Sequence, residues 1–327
     1  MTGVGAGARE DRSPLRALAA TVDFRPDALI PAPMIRPALL ALLPLLLAGT
    51  PAPDPSPKLL TWADLKARPR PTADATIAYG ADALQKVDLW VPAGPGPHPV
   101  VVMVHGGCWQ SDIADRTLMD WIAADLRAGG IAVWNIDYRG VDRPGGGYPG
   151  TFADVAAATD ALAAQASAYH LDLRRVVAVG HSAGGHLALW LAARAKLPAT
   201  SPLRRPQPLR IAHVVSLGGL PDLEATAASP DNGCGTEVVG RLVAGGGYAD
   251  TSIPRLLPLG VGQDLVNGLN DRIIPARLAT DYVATAKKAG DRVRLAMIAD
   301  TGHVELIAPE TPAWAAAKRA IAKGLRR

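Results

Sequence analysis

The 327-residue chain carries no block of like charges, only two cysteines and no apolar run long enough to cross a bilayer. Its formal net charge is +4, from 34 basic and 30 acidic side chains. The 26 arginines outnumber the 8 lysines, but nothing gathers them on one face, which disfavours a nucleic-acid binder. The apolar stretch Ala38 to Ala48 has Pro44 in its middle and falls short of the ~20 residues a spanning helix needs. No stable membrane span is therefore expected. Cys108 and Cys234 lack metal-site spacing, and no metal or other cofactor is implied. An even cysteine count invites a disulfide in an exported chain and reduced thiols in a cytosolic one. No internal repeat is visible.

What is present is enough apolar material for a substantial core, with 49% hydrophobic and 20% charged residues. Met34-Ile35-Arg36-Pro37, the apolar stretch and the small residues Gly49, Thr50 and Ala52 have the layout of a secretory signal peptide. Segment 34–52 therefore predicts export to the periplasm or medium, with translation starting at Met34 and residues 1–33 a mis-assigned or disordered extension. Residues 53–71 read as a Pro-rich linker. From residue 72 to 327, apolar strands alternate with helices, which predicts one α/β domain with a mainly parallel sheet covered on both faces. Thr76–Tyr79 and Lys86–Val91 read as an antiparallel pair joined at Gly80-Ala81-Asp82, and Val100–His105, Ile131–Asp137, Val176–Val179, Ile211–Leu217, Asp264–Asn267 and Val293–Ile298 as the further strands. Residues 220–262 are irregular and cap-like, with one short helix near Glu237–Val243, and are placed to line a pocket.

Gly180-His181-Ser182-Ala183-Gly184 lies between the apolar run Val176–Val179 and the helix-like run that follows. In that setting G-x-S-x-G predicts a strand–turn–helix elbow that lifts the Ser182 hydroxyl clear of the sheet. Gly180 and Gly184 are required because a side chain there would strike the neighbouring strand or helix. A serine hydroxyl needs a base, and the base an orienting acid, following in the chain order Ser, acid, His. Of His186, His213 and His303, only His303 follows the last strand in a loop that can reach the serine. Asp271, between a strand and a helix, is the favoured acid, with a helix N-cap as its competing role. Asp222 is the alternative, and Asp264 is less well placed because it begins a strand. His105-Gly106-Gly107 after the VVVMVH strand supplies glycines whose N–H groups, with that of Ala183, suit an oxyanion.

These motifs, H-G-G-x-W with G-H-S-A-G-G, Asp271 and His303, resemble the α/β-hydrolase fold in its esterase and arylformamidase branch. The likeness covers roughly residues 72–326 and extends to exported feruloyl esterase-like and kynurenine formamidase-like enzymes. It implies Ser182 as nucleophile, Asp271 as acid, His303 as base, and an oxyanion hole at Gly106, Gly107 and Ala183. It also implies a Cys108–Cys234 disulfide. Cys108 itself departs from the pattern, since formamidases often carry an aromatic residue there. The expected activity is hydrolysis of a small-molecule carboxylic ester through an acyl-enzyme. The rivals are amide hydrolysis on the same triad, as in an arylformamidase or peptidase, and a non-catalytic binding protein on the same scaffold.

Overall fold

The computed structural model describes residues 58–326. The extension 1–33, the signal-like segment 34–52 and the start of the Pro-rich stretch lie outside them. Among the described residues no helix is long and apolar enough to cross a membrane.

Eight strands build one sheet: β1 (Ala75–Ala78), β2 (Lys86–Trp90), β3 (His98–Val104), β4 (Ala132–Ile136), β5 (Leu171–His181), β6 (His213–Leu217), β7 (Gly262–Gly268) and β8 (Arg292–Ile298). Their spatial order is β1-β2-β4-β3-β5-β6-β7-β8. β1 with β2 and β2 with β4 are antiparallel, and the remaining neighbours are parallel. This is the mainly parallel α/β sheet expected from the alternating pattern.

Residue alternation explains the unbroken apolar strands. In β3, Val100, Val102 and Val104 pack on the face covered by α3 (Gly150–Gln165), α4 (Ala183–Ala193) and α7 (Ala276–Lys288). Val101 and Met103 pack on the other face, under α2 (Asp120–Ala128) and α8 (Pro312–Leu325). A strand covered on both sides has no position to give to water. α8 shows how the covering helices are specified: Thr311 caps it through the Trp314 N–H, and Pro312 occupies its first turn. Trp314, Ala317, Ile321 and Leu325, spaced by three or four, then face the sheet.

The structure differs from the sequence expectation in three places. β5 is longer than Val176–Val179 because Leu171 and Asp172 pair with His98 and Pro99 before the register shifts. The residues that bulge there include Arg174 and Arg175, both bonded to the Asp172 carboxylate, so the polar sequence hides a strand. In 220–262, α6 (Glu237–Leu242) is joined by α5 (Leu223–Ala227) and a 3-10 turn at Ile253–Leu256. Finally, α1 (Trp62–Lys66) lies within the stretch 53–71 read as linker. Thr61 Oγ1 accepts the Asp64 N–H while the Asp64 carboxylate accepts the Thr61 N–H, a capping box that starts this short helix.

Candidate active site

β5 ends at His181 and α4 begins at Ala183, leaving Ser182 alone between them at φ 55°, ψ −124°. A non-glycine residue in such a conformation costs on the order of 1–3 kcal/mol, so the surroundings must hold it. The Ser182 N–H donates to the Leu217 carbonyl at 2.8 Å, and the Ser182 carbonyl accepts the Gly185 N–H at 2.8 Å. A side chain on Gly180 would run into the Gly184 carbonyl, and one on Gly184 into the carbonyls of Val104 and His105. Ser182 lines a cavity of about 270 Å³ together with His303, His181, Gly107 and Trp62. Its hydroxyl makes no hydrogen bond among the described residues.

His303 follows β8 in the loop that reaches this cavity. The Asp271 carboxylate can only accept, so the proton shared across the 2.7 Å contact belongs to His303 Nδ1. Nε2 is thereby left with a lone pair. The second oxygen of Asp271 accepts the N–H groups of Ile273 (2.8 Å) and Ile274 (2.9 Å). Asp271 thus bonds His303 and holds the turn that leads toward α7, but it does not cap that helix, whose N-cap position is Pro275.

The alternatives lie elsewhere. Asp222 caps α5, accepting the N–H groups of Glu224 and Ala225. His213 pairs with Asp264 near the start of β6 and lies level with Val177 of β5. That is five residues before Ser182, roughly 16 Å at ~3.3 Å per strand residue. His186 points from α4 into the core, where its Nε2–H donates to the Thr251 carbonyl at 2.8 Å. Burial pushes its pKa down to about 4, and it stays neutral.

The loop after β3 is held just as firmly. Gly107, Cys108 and Trp109 form a run of three left-handed residues, at φ 102°, 53° and 55°. Trp109 is fully buried, and its carbonyl accepts the Val141 N–H at 2.8 Å. Cys108 is disulfide-bonded to Cys234, across a sequence separation of 126 residues. The N–H groups of Gly106, Gly107 and Ala183 donate to no other protein group among the described residues. His105 Nδ1–H donates to the Gly106 carbonyl at 2.7 Å, while Nε2 contacts Asp137 Oδ1 at 3.0 Å. In a planar trans peptide C=O and N–H point oppositely, so tying back the Gly106 oxygen turns the Gly107 N–H the other way. Arg116 bonds both Asp137 and Asp88, fixing this buried support.

Two residues of the cavity carry no sequence signal for their place in it. His181 is the variable position of G-x-S-x-G, yet its ring lies 4.4 Å from that of His303. Burial, reinforced by the neighbouring His303, holds its pKa well below the usual histidine value. Its Nε2–H donates to the His303 carbonyl at 3.1 Å, fixing the loop from the Ser182 side. Trp62, from α1, meets both rings edge-on with centroids 6.1 Å away. The Thr61-x-x-Asp64 pattern was the available hint that its segment is ordered.

Residues 87–249 match the BD-FAE family model. Two curated relatives from Arabidopsis thaliana are each a probable isoprenylcysteine alpha-carbonyl methylesterase. One is 30% identical over 119 residues, which is 36% of this chain and 24% of that protein. The other is 31% identical over 114 residues, 35% and 26% respectively. The chain thus spans about a quarter of the length of the curated relatives it matches. Similar solved structures include esterase B from Lactobacillus rhamnosis, with TM-score 0.66, 18% identity and coverage of 80% of this chain and 90% of that one. A truncated carbohydrate esterase from gut microbiota has TM-score 0.65 and 18% identity, over 78% of this chain and 98% of that one. For a bacterial heroin esterase the values are 0.61 and 22%, over 77% and 84%. At these identities the likeness to the solved structures is one of fold.

Proposed function

We propose that this chain, with its α/β-hydrolase fold and its BD-FAE match over residues 87–249, is an esterase that hydrolyses carboxylic esters through an acyl-enzyme formed on Ser182. One observation carries this reading: a serine in a strained strand-to-helix turn shares a cavity with His303, whose Nδ1 is bonded to Asp271.

In the proposed reaction Ser182 Oγ attacks the ester carbonyl while His303 Nε2 removes its proton. Asp271 keeps the proton on Nδ1 and stabilises the imidazolium that forms. The negative oxygen of the tetrahedral intermediate accepts from the N–H groups of Ala183 and Gly107, with Gly106 beside them, each such donor contributing ~10²–10³ in rate. Collapse breaks the ester C–O bond, and His303 gives its proton to the departing alkoxide. Water, deprotonated by the same imidazole, then releases the acid and restores Ser182.

The signal-like segment from Met34 and the Cys108–Cys234 disulfide both support an extracytoplasmic site of action. The test is covalent labelling by a fluorophosphonate with turnover of p-nitrophenyl acetate. Wild type is expected to label at Ser182 and to hydrolyse the ester, and Ser182→Ala to do neither while melting cooperatively. Folded wild type that neither labels nor turns over would leave the binding-protein reading in its place. Faster turnover of an aryl formamide than of the matched aryl ester would move the assignment to amide hydrolysis.

A further inference from the structure

α1 is built into the site. The N–H of Leu60, just before the helix, and the N–H of Gly302 both donate to the carboxylate of Glu305, the latter at 2.9 Å. Glu305 is 6% exposed and lies two residues beyond His303, so one buried acid ties the start of α1 to the histidine loop. Past the other end of the helix, Arg68 bonds Glu310 at 2.7 Å. Trp62 and Lys66, one turn apart, both line the cavity of Ser182. The Trp62 indole stands nearly perpendicular to the His303 ring, at 80°, and to the His181 ring, at 74°.

The position of this indole bears on which half of an ester it meets. A leaving oxygen has to come within hydrogen-bond reach of His303 Nε2 to be protonated, so the alcohol half lies on the His303 side of the scissile carbonyl. Trp62 is a bulky apolar side chain of the cavity that meets that imidazole, with ring centroids 6.1 Å apart. We propose that Trp62 is a specificity-determining residue that limits the size of the alcohol half of the substrate. This rests on the ester-hydrolase reading above, and it makes the segment before the first strand part of the substrate site.

The test uses two ester series and compares ratios of kcat/KM within each variant. Alkyl acetates from ethyl to octyl vary the alcohol at similar leaving-group basicity, and ethyl esters from acetate to octanoate vary the acyl chain. Trp62→Ala is expected to raise the octyl-to-ethyl ratio in the alcohol series by about tenfold or more, the scale on which apolar pockets discriminate size. Trp62→Phe should raise it less, and the acyl series should move little in either variant. An unchanged alcohol ratio, or a shift confined to the acyl series, would overturn the inference. If Trp62→Ala does not fold, Trp62→Phe and Trp62→Leu carry the same comparison, with melting curves run beside the kinetics. Failure of the ester-hydrolase reading is separately visible, because wild type would then be inactive on both series and unlabelled by the fluorophosphonate.

Discussion

One carboxylate oxygen of Asp271 accepts from His303 Nδ1 at 2.7 Å while the other accepts the N–H groups of Ile273 and Ile274. Both oxygens are therefore engaged, and the turn that they brace presents the acid to the imidazole in one orientation.

Asp271→Asn separates the two duties. The amide oxygen can still accept from Ile273 and Ile274, leaving NH₂ to face His303. That favours the tautomer with its proton on Nε2, where it cannot take one from Ser182. The expected loss in kcat is roughly 10⁴-fold, the size seen when a triad acid is replaced in this way, with little change in melting temperature. Asp222→Asn should leave kcat near wild type and lower stability by less than about 1 kcal/mol, since Asn caps helices nearly as well as Asp. Steady-state kinetics and thermal melts on both variants check the pair. Equal activity losses would remove the distinction.

The Cys108–Cys234 bond joins the loop of Gly106 and Gly107 to the loop of Gly233, whose N–H donates to Ile273 beside Asp271. Opening it should cost stability and catalysis together. Chain-entropy estimates for a loop this long approach 5 kcal/mol, and measured losses run about 2–5 kcal/mol. The Cys108→Ser/Cys234→Ser variant is expected to unfold at clearly lower urea. Its kcat should also fall at temperatures where it remains folded, because Gly107 is held partly through Cys108. Retained kcat in the folded variant would mean that the buried Trp109 suffices to hold the loop.

How far these features were legible depends on whether they are local. Val100–Val104 reads as a buried strand because both faces need apolar residues, and the glycines around Ser182 read as a turn because a side chain has no room there. Ser182, Asp271 and His303 were legible as candidates because each lies just after a strand and they follow the motif's chain order of serine, acid and histidine. Other features depend on contacts far apart in sequence. Leu171–Arg175 is disguised by Arg174 and Arg175 turning back to Asp172. α1 has five residues, too few to show a helical period or to be stable alone, and it depends on its capping box and on Glu305 some 245 residues away. His181 gives no signal in its own neighbourhood, because its role comes from a ring 122 residues downstream.

The buried histidines set an acid limit on stability. His186 titrates at about 4 in the folded chain against 6.5 in the open, because burial disfavours its charged form. Between those values the unfolded chain binds the extra proton, so stability falls as pH drops from about 6.5 to 4 and is unaffected above. At ~1.4 kcal/mol per unit, His186 accounts for at most roughly 3–4 kcal/mol. His186→Gln, which can still donate to the Thr251 carbonyl, should lose part of this acid slope. Urea unfolding at pH 8, 6 and 4.5 measures it, and parallel slopes for wild type and variant would contradict the assignment.

Asp120 works in the opposite direction. It opens α2, where the helix dipole favours a negative charge. Yet it is 4% exposed, and one carboxylate oxygen is buried without a partner. Burial raises its pKa to about 7, with Arg70 opposing the rise and Asp88 and Asp115 adding to it. The unfolded carboxyl ionises near 3.8, so between that pH and 7 the native state holds the extra proton and stability declines as pH rises. Above pH 7 the full cost is present, a few kcal/mol at most at ~1.4 kcal/mol per unit. Asp120→Asn has a similar shape and no charge to bury. It is expected to stabilise the protein by about 1–3 kcal/mol at pH 8 and by little at pH 4. Its effect should therefore grow with pH over the interval in which that of His186→Gln shrinks. Chemical denaturation of wild type, each variant and the double variant would show whether the two slopes are independent. A gain from Asp120→Asn that is the same at pH 4 and pH 8 would trace it to packing instead of ionisation.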